Sequence, residues 1–424
     1  MIKSIDDYGK YVEELAIKDP EKARRWLLLG YRLFGLKMKF FPNKDLPLAK
    51  QKSAIYLNNT IKKVFTEPDN LALVNIFMPC EILEAMDIVP MCAELFSGFI
   101  NGSHCESVFA DEAKKEGIAE TYCSYHKIFL GTAYTKLMQP PKVIINTSMV
   151  CDANNLTFRE LASELNIPHY YVDVPGEKSE DSVIYVADQL RDVGRMLENI
   201  TGKKLDANRL KAAVTRSIET ISLYRKVLDK KRDLYLPSDV TSEMYEAYLL
   251  HNGLGTEMSY DYVKTFLKDF ERAEKFEGIK ILWLHVIPNW QKPVTELFNF
   301  NKDCQIVISD MNFENFVEMD GNKPYESMAK RLVYSNWNSG QDRIDTALKM
   351  GKYLNIDGVV CFGQWGCKQT LGLADLFKEA FEIEGIPLLV LEGDGADRRN
   401  SSDGQVSTRL SAFIEMVKGR KDGK

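Results

Sequence analysis

Between residues 1 and 65, apolar side chains return every third or fourth position with charged residues between them, and Trp26, Leu27, Tyr31 and Phe34 fall on one stripe. Asp19 followed by Pro20 supplies a cap and a first helical position. The pattern predicts a helical N-terminal segment over 1–65. From Leu71 the texture changes to short apolar runs such as "LALVNIFMP" and "PKVIINTSMV", each ending in a loop and followed by helix-like sequence. That alternation is the rhythm of strand, crossover helix and parallel strand, and it predicts a first α/β lobe over 66–195. Helical spacing then returns, with Leu210, Val214, Ile218, Ile221 and Leu228 on one face of 203–234, and 196–275 is expected to be a helical inter-lobe segment. Strand rhythm resumes in "GIKILWLHVIP", "CQIVISDMN", "IDGVVCFGQ" and "IPLLVLEGD", giving a second α/β lobe over 276–424.

An internal repeat supports two lobes. "PPKVIINTSMVCDANNLTFRELASELNIPHYYVDVP" and "NIDGVVCFGQWGCKQTLGLADLFKEAFEIEGIPLLVLEGD" each run strand, loop with a cysteine, helix, Ile-Pro, strand and acid. Cys151 and Cys367 occupy matching places, and a weaker third copy places Cys80 likewise. Ligands of open parallel sheets sit beyond the carboxyl ends of the strands, where helix N-termini offer unpaired N–H groups.

The 424 residues suffice for two or three domains, and the formal net charge of −6 offers no broad basic surface for nucleic acid. The first thirty residues lack the apolar core of a signal peptide, and no apolar run reaches the ~18 residues of a membrane span. A cytoplasmic location is expected, where the eight cysteines stay reduced. Cys92 and Cys304 lie within or at the start of apolar segments and read as core. Cys80, Cys123, Cys151 and Cys367 each stand where an apolar run or turn meets a helix start, a position suited to a thiolate that points into a shared cavity. The short C-x₂₋₄-C knuckles of most structural zinc sites are missing. Iron–sulfur clusters accept scattered cysteines, but scattered spacing alone is unspecific.

Taken in order, "MPCEILEAMDIVPM", "YCSYHKIFLG", "MVCD", "DGVVCFGQWGCKQT", "EGIPLLVLEGD" and "GQVSTRLSAFIEM" resemble the superfamily of 2-hydroxyacyl-CoA dehydratase components and benzoyl-CoA reductase subunits over about residues 66–420. The resemblance implies two flavodoxin-like lobes holding a [4Fe–4S] cluster between them through three cysteines, here Cys123, Cys151 and Cys367. Additional cysteines at Cys80, Cys105 and Cys361 make six, the requirement of the double-cubane branch, whose [8Fe–9S] unit joins two cubanes by a bridging sulfide. On that expectation Cys361 and Cys367 both bind iron from one loop, which Gly363 and Gly366 let fold back.

The resemblance further implies a separate homodimeric, ATP-hydrolysing activator with its own [4Fe–4S] cluster, consistent with the missing G-x-x-x-x-G-K-[ST] loop in this chain. The expected function is an iron–sulfur reductase of small molecules. The alternatives are a [4Fe–4S] 2-hydroxyacyl-CoA dehydratase component, which uses one recycled electron to expel a hydroxyl group, and an electron-transfer or cluster-storage protein without its own substrate. Glu81, His104, His126 and Lys368 stand next to or near the proposed ligands and are candidate proton or hydrogen-bond donors, each with a plain supporting or surface role as its alternative. A homodimer is expected. "EGDGADRRNSSDG" reads as a surface or cluster-proximal loop, "YSNWNSGQDR" as a solvated loop, and "EMYEAYLLHNG" as an amphipathic helix or a subunit contact.

Overall fold

The computed structural model describes residues 3–313 and 316–423. Three helices come first: α1 (Ile5–Lys18), α2 (Pro20–Phe40) and α3 (Leu48–Thr66). Ser4 accepts a hydrogen bond from the Asp7 amide to cap α1, and Asp19 caps α2, where Pro20 takes a first-turn place that needs no amide hydrogen. Val12, Ala16, Ala23 and Leu27 are fully inward and join the core of the first lobe, so the helical lead-in shares that core.

The first lobe runs β1 (Leu71–Val74), α4 (Glu81–Ala85), β2 (Val89–Cys92), α5 (Ala93–Gly102), α6 (Glu106–Lys115), α7 (Ser124–Tyr134), β3 (Val143–Thr147), α8 (Asp152–Glu164), β4 (His169–Val172) and α9 (Glu180–Thr201). Its four strands are parallel in the order β2-β1-β3-β4. A linking region follows, with α10 (Ala207–Lys231), α11 (Val240–Leu250) and α12 (Glu257–Asp269), in which β5 (Leu234–Tyr235) and β6 (Glu274–Lys275) form a short antiparallel ribbon. The second lobe runs β7 (Ile279–Leu284), α13 (Lys292–Phe298), β8 (Cys304–Ser309), α14 (Pro324–Val333), α15 (Gly340–Tyr353), β9 (Gly358–Gln364), α16 (Lys368–Ile383), β10 (Leu388–Gly393) and α17 (Asp403–Asp422). Its strands are also parallel, in the order β10-β9-β7-β8. The protein is an α/β structure of two flavodoxin-like lobes. Every residue of β1, β3, β7, β8 and β9 is buried, which is why these strands read as mainly apolar runs, interrupted at Asn146, Lys280, Gln305 and Gln364.

The lobes are not sequence-contiguous in their packing. α14, from the second lobe's stretch of chain, lies on α9, and Met328, Ala329, Leu332 and Val333 enter the first lobe's core. Arg331 on α14 grips Glu81 on α4 with Nη1–Oε1 and Nη2–Oε2 distances of 2.6 and 3.1 Å, and Ser217 on α10 donates to the same carboxylate at 2.7 Å. Both ionic partners are buried. Nearby, α11 carries Glu243 and Glu246 inward to meet Lys50 and Lys231, while Tyr224 and Tyr262 donate to Glu246 at 2.6 and 2.8 Å. "EMYEAYLLHNG", expected as an amphipathic helix or a subunit contact, is thus a buried helix whose two carboxylates are paired inside with two ammonium groups. "YSNWNSGQDR" is partly buried as well. Its Trp337 and Arg343 are nearly inaccessible, with the guanidinium 3.7 Å from the indole centroid and bonded to Asp310.

Replacing Arg331 by Met leaves the Glu81 carboxylate buried without its countercharge, and we expect a loss of about 3–5 kcal/mol in urea unfolding. Adding Glu81→Gln to that variant should recover a substantial part, because the second change removes the stranded charge.

Candidate functional site

Parallel pairing brings the carboxyl ends of all strands of a lobe to one edge, and three cysteines meet where the two edges face each other. Cys151 follows β3 and is the N-cap of α8; Cys367 follows β9 and is the N-cap of α16; Cys123 is the N-cap of α7. All three helices direct their positive ends and free amides toward the sulfurs. Cys123 is fixed from both sides. Tyr122 donates to the Ala153 carbonyl at 2.6 Å in the first lobe, and Ser124 donates to Asp394 Oδ2 at 2.5 Å in the second. Gly366, at φ +79°, closes the contact between lobes: a Cβ there would stand 2.6 Å from the Cys123 amide nitrogen.

The three thiols feel one another. Burial pushes Cys123 well above the usual thiol range and Cys151 up to about 12, and each is raised further by its sulfur neighbours, Cys151 and Cys367 for the first and Cys367 for the second. Cys367 departs from them. Burial raises it too, but His285, with Nε2 at 3.7 Å from the sulfur, and Thr370 outweigh burial and bring it down to about 6. His285 follows β7 in the left-handed region at φ 78°, its amide bonded to Asp310 at 2.7 Å, and its Nδ1 is buried without a partner among the described residues.

The other expected residues are distributed as follows. Cys361 lies inside β9, buried in the second core and electrostatically linked to Cys367, with burial pushing it up to about 12. Cys80 is the N-cap of α4 and receives Asn252 Nδ2 at 3.6 Å, among Glu81 and Arg331. Cys105, the N-cap of α6, is buried with Glu106, Glu13 and Arg398 around it. The structure thus gathers Cys123, Cys151 and Cys367, leaves Cys361 in the second lobe's core with an electrostatic link to Cys367 alone among them, and gives Cys80 and Cys105 surroundings of their own. Glu81 is occupied by Arg331 and Ser217. His104 is bonded through Nδ1 to Asp6 at 2.6 Å on the face of the N-terminal helices. His126 is buried on α7, one turn from Cys123; burial lowers it to about 4, and its Nδ1 lacks a partner among the described residues. Lys368 is exposed and pairs with Asp152 at 3.3 Å, so the residues that follow Cys367 and Cys151 form an ion pair across the mouth.

Three groups at the site were not singled out in the sequence. His285 had one signal, an imidazole ending the apolar run "KILWLH". Asp394 lies in "EGDGAD", a loop that is buried rather than superficial; besides Ser124 it accepts from Gln364, Asn400 and the amides of Ala396 and Asp397. Glu94 opens α5, directly after β2. It receives the Cys92 thiol at 2.9 Å, is raised by burial, and acts electrostatically on Cys151, Tyr125 and Tyr248. Cys92, expected in the core, is indeed buried, but it also ends β2 and caps α5.

Among the described residues, no group of three His, Cys, Asp or Glu stands close enough to share a single metal ion. A cluster takes each thiolate on a different iron and so holds its sulfurs further apart than one ion does. Three thiols at three helix N-termini, with glycine-assisted close approach of the loops, suit an anionic inorganic core of that size. No helix among the described residues is long and apolar enough to cross a membrane.

The family profile described as "2-hydroxyglutaryl-CoA dehydratase, D-component" matches residues 75–417. The chain is 24% identical over 74% of its length to the (R)-phenyllactyl-CoA dehydratase alpha subunit of Clostridium sporogenes, covering 81% of that protein. It is 22% identical over 69% of its length to the alpha subunit of (R)-2-hydroxyglutaryl-CoA dehydratase of Acidaminococcus fermentans, covering 64% of it. Against a benzoyl-CoA reductase subunit of Thauera aromatica the identity is 22% over 90% of this chain and 96% of the other.

In iron-free protein, the lowered Cys367 thiol is ionised above pH about 6 and protonated below it. Alkylation by iodoacetamide at pH 7 should therefore mark Cys367 before Cys151, with mass mapping of the labelled peptides as the readout. His285→Gln should move the midpoint of the Cys367 rate profile upward, toward an ordinary thiol.

Proposed function

Because the chain belongs to the 2-hydroxyglutaryl-CoA dehydratase D-component family, an enzyme family of dehydratase and reductase subunits, we propose that it is a cluster-bearing subunit acting on an acyl-CoA thioester, with Cys123, Cys151 and Cys367 as ligands of a [4Fe–4S] cluster. The observation that carries this reading is the position of Cys123, Cys151 and Cys367 at the N-termini of three helices from two lobes, with the Gly366 turn packed against the Cys123 backbone. The group, when bound, supplies a low-potential one-electron couple and one iron not held by cysteine. The chain's own residues do the rest. Helix N-termini offset the charge of the core; Asp394, bonded to Ser124, keeps the two lobes in register around it, Gly366 lets their loops approach, and Tyr122 fixes the Cys123 turn within the first lobe. Glu94, whose carboxyl burial raises, acts electrostatically on Cys151 and Tyr125 and is the candidate proton donor that this chain offers at the site. The names of the relatives, for phenyllactyl, 2-hydroxyglutaryl and benzoyl thioesters, support a CoA ester as substrate. That each relative is one component of a larger enzyme supports a pair of like subunits, either two copies of this chain or this chain and a homologue. Electrons come from an ATP-hydrolysing iron–sulfur activator that meets the half-buried side of Cys151 and Cys367, where Lys368 and Asp152 lie.

A second reading, the [8Fe–9S] double cubane, is favoured by one observation: Cys361 stands on the strand that leads into Cys367 and acts on it electrostatically. Cys80 and Cys105 would have to complete its six thiolates. Anaerobic purification followed by iron and acid-labile sulfide analysis separates the two. The first reading expects about four irons per chain, lost in Cys123→Ser, Cys151→Ser or Cys367→Ser and retained in Cys80→Ser and Cys105→Ser. About eight, with loss in Cys80→Ser and Cys361→Ser, gives the second. Protein free of iron after anaerobic reconstitution would overturn both. Water elimination from a 2-hydroxyacyl-CoA in the presence of activator and ATP tests the reaction itself.

A further inference from the structure

A cavity of about 450 Å³ opens between the N-terminal helices, α5 and α11. Its size falls within the range of small-molecule sites. Tyr31, Phe99, Tyr125, Tyr245, Tyr248 and Trp290 supply much of its wall. Phe99 and Tyr245 stack with centroids 6.2 Å apart, and Tyr31 meets Phe99 edge-on at 5.7 Å.

Two features show that the space is built. Gly98 and Gly102 lie one turn apart on α5 and both line the cavity, and a Cβ at either position would meet nothing within 4 Å. Glycine within a helix costs about 0.5–1 kcal/mol relative to alanine, so the helix forgoes stability at positions where no neighbour excludes a side chain. The second feature is hydrogen-bonding capacity left open. Tyr8 and Tyr31 donate their hydroxyls to the carbonyls of Trp26 and Phe99. Tyr245 and Tyr248 make no such bond among the described residues, although Tyr248 is only 7% exposed.

The charges indicate what kind of ligand fits. The two basic groups of the wall are both engaged, Arg398 with Glu106 at 2.8 Å and His104 with Asp6 at 2.6 Å. No other ionisable group besides the tyrosines lines the cavity among the described residues. A phosphate or carboxylate would find no uncommitted cation, whereas a flat ring finds aromatic faces and edges, and a carbonyl finds phenol donors.

We propose that this cavity binds an uncharged aryl group whose chain carries a hydrogen-bond acceptor, such as the acyl portion of an aryl-bearing thioester. Tyr125 joins the cavity to the cysteines, since it lines the wall two residues after Cys123. The link to a thioester rests on the function proposed above, while recognition of the ring does not require iron.

The test is isothermal titration of the full-length protein with 3-phenylpropionamide and, in parallel, 3-cyclohexylpropionamide, which has the same chain without the aromatic face. The aryl amide should bind about tenfold more tightly than the cyclohexyl amide, an advantage expected of aromatic pairing in a desolvated wall. Gly98→Leu, which fills the hollow of α5, should weaken aryl binding at least about tenfold while leaving the melting temperature unchanged or higher. If that variant does not fold, Gly102→Leu is the equivalent. Tyr248→Phe should weaken binding of both amides alike, because each loses the same donor. Equal binding of the two amides, no binding by the wild type, or undiminished binding by the leucine variant overturns the proposal. Iron content is measured on the same preparations, so a missing cluster and a missing ring site are told apart.

Discussion

Two parallel sheets impose the geometry of this molecule. In each, every strand ends at the same edge and hands the chain to a helix whose first amides are unpaired, so polar and anionic groups are favoured at that edge and apolar ones elsewhere. When the edges of two such lobes face each other, helix N-termini converge from opposite sides. Cys151 and Cys367 occupy two of those termini, and Cys123, at the start of a helix that follows another helix, joins them. A thiolate, costly to bury in an apolar core, is there surrounded by the positive ends of helices.

Holding the edges at a fixed separation demands contacts that do not loosen. The loop after β10 reaches from the second lobe into the first, with Asp394 on Ser124, the Ala396 carbonyl on Asn101, and Arg398 on Glu106. On the other flank, Arg331 and Glu81 form a buried ion pair supported by Ser217. Such pairs add little net stability compared with well-packed apolar residues, but they tolerate few alternative arrangements, since any shift strands a charge. The lobes are thus keyed to one relative position by polar groups and held there by the apolar packing of α14 on α9.

The same polar keying leaves the thiols unequal. Cys367 has the His285 imidazole as neighbour and is the one drawn toward its anionic form; Cys123 and Cys151 are buried thiols whose ionisation is opposed by desolvation and by each other. An incoming metal centre would offset the penalties on Cys123 and Cys151 together, because coordination replaces the proton that burial retains.

Local sequence determined the elements of this protein. Asp19–Pro20 announced a helix start, the all-buried strands announced themselves as apolar runs, and the repeated order of strand, cysteine, helix and Ile-Pro announced two like lobes. Those signals depend on neighbours within a few residues, and they put Cys80, Cys123, Cys151 and Cys367 at helix starts, where all four stand. Which of these sulfurs meet was decided by tertiary structure alone. Cys123 reaches Cys367 because Ser124 and Asp394, 270 positions apart, are hydrogen-bonded. Likewise "EMYEAYLLHNG" reads as an amphipathic helix or a subunit contact and "YSNWNSGQDR" as a solvated loop, and only the partners supplied by distant elements, Lys50 and Lys231 to one and Asp310 to the other, allow their charged groups to turn inward. Periodicity records which way a side chain faces, but the charge or sulfur waiting opposite it is set by how whole lobes dock.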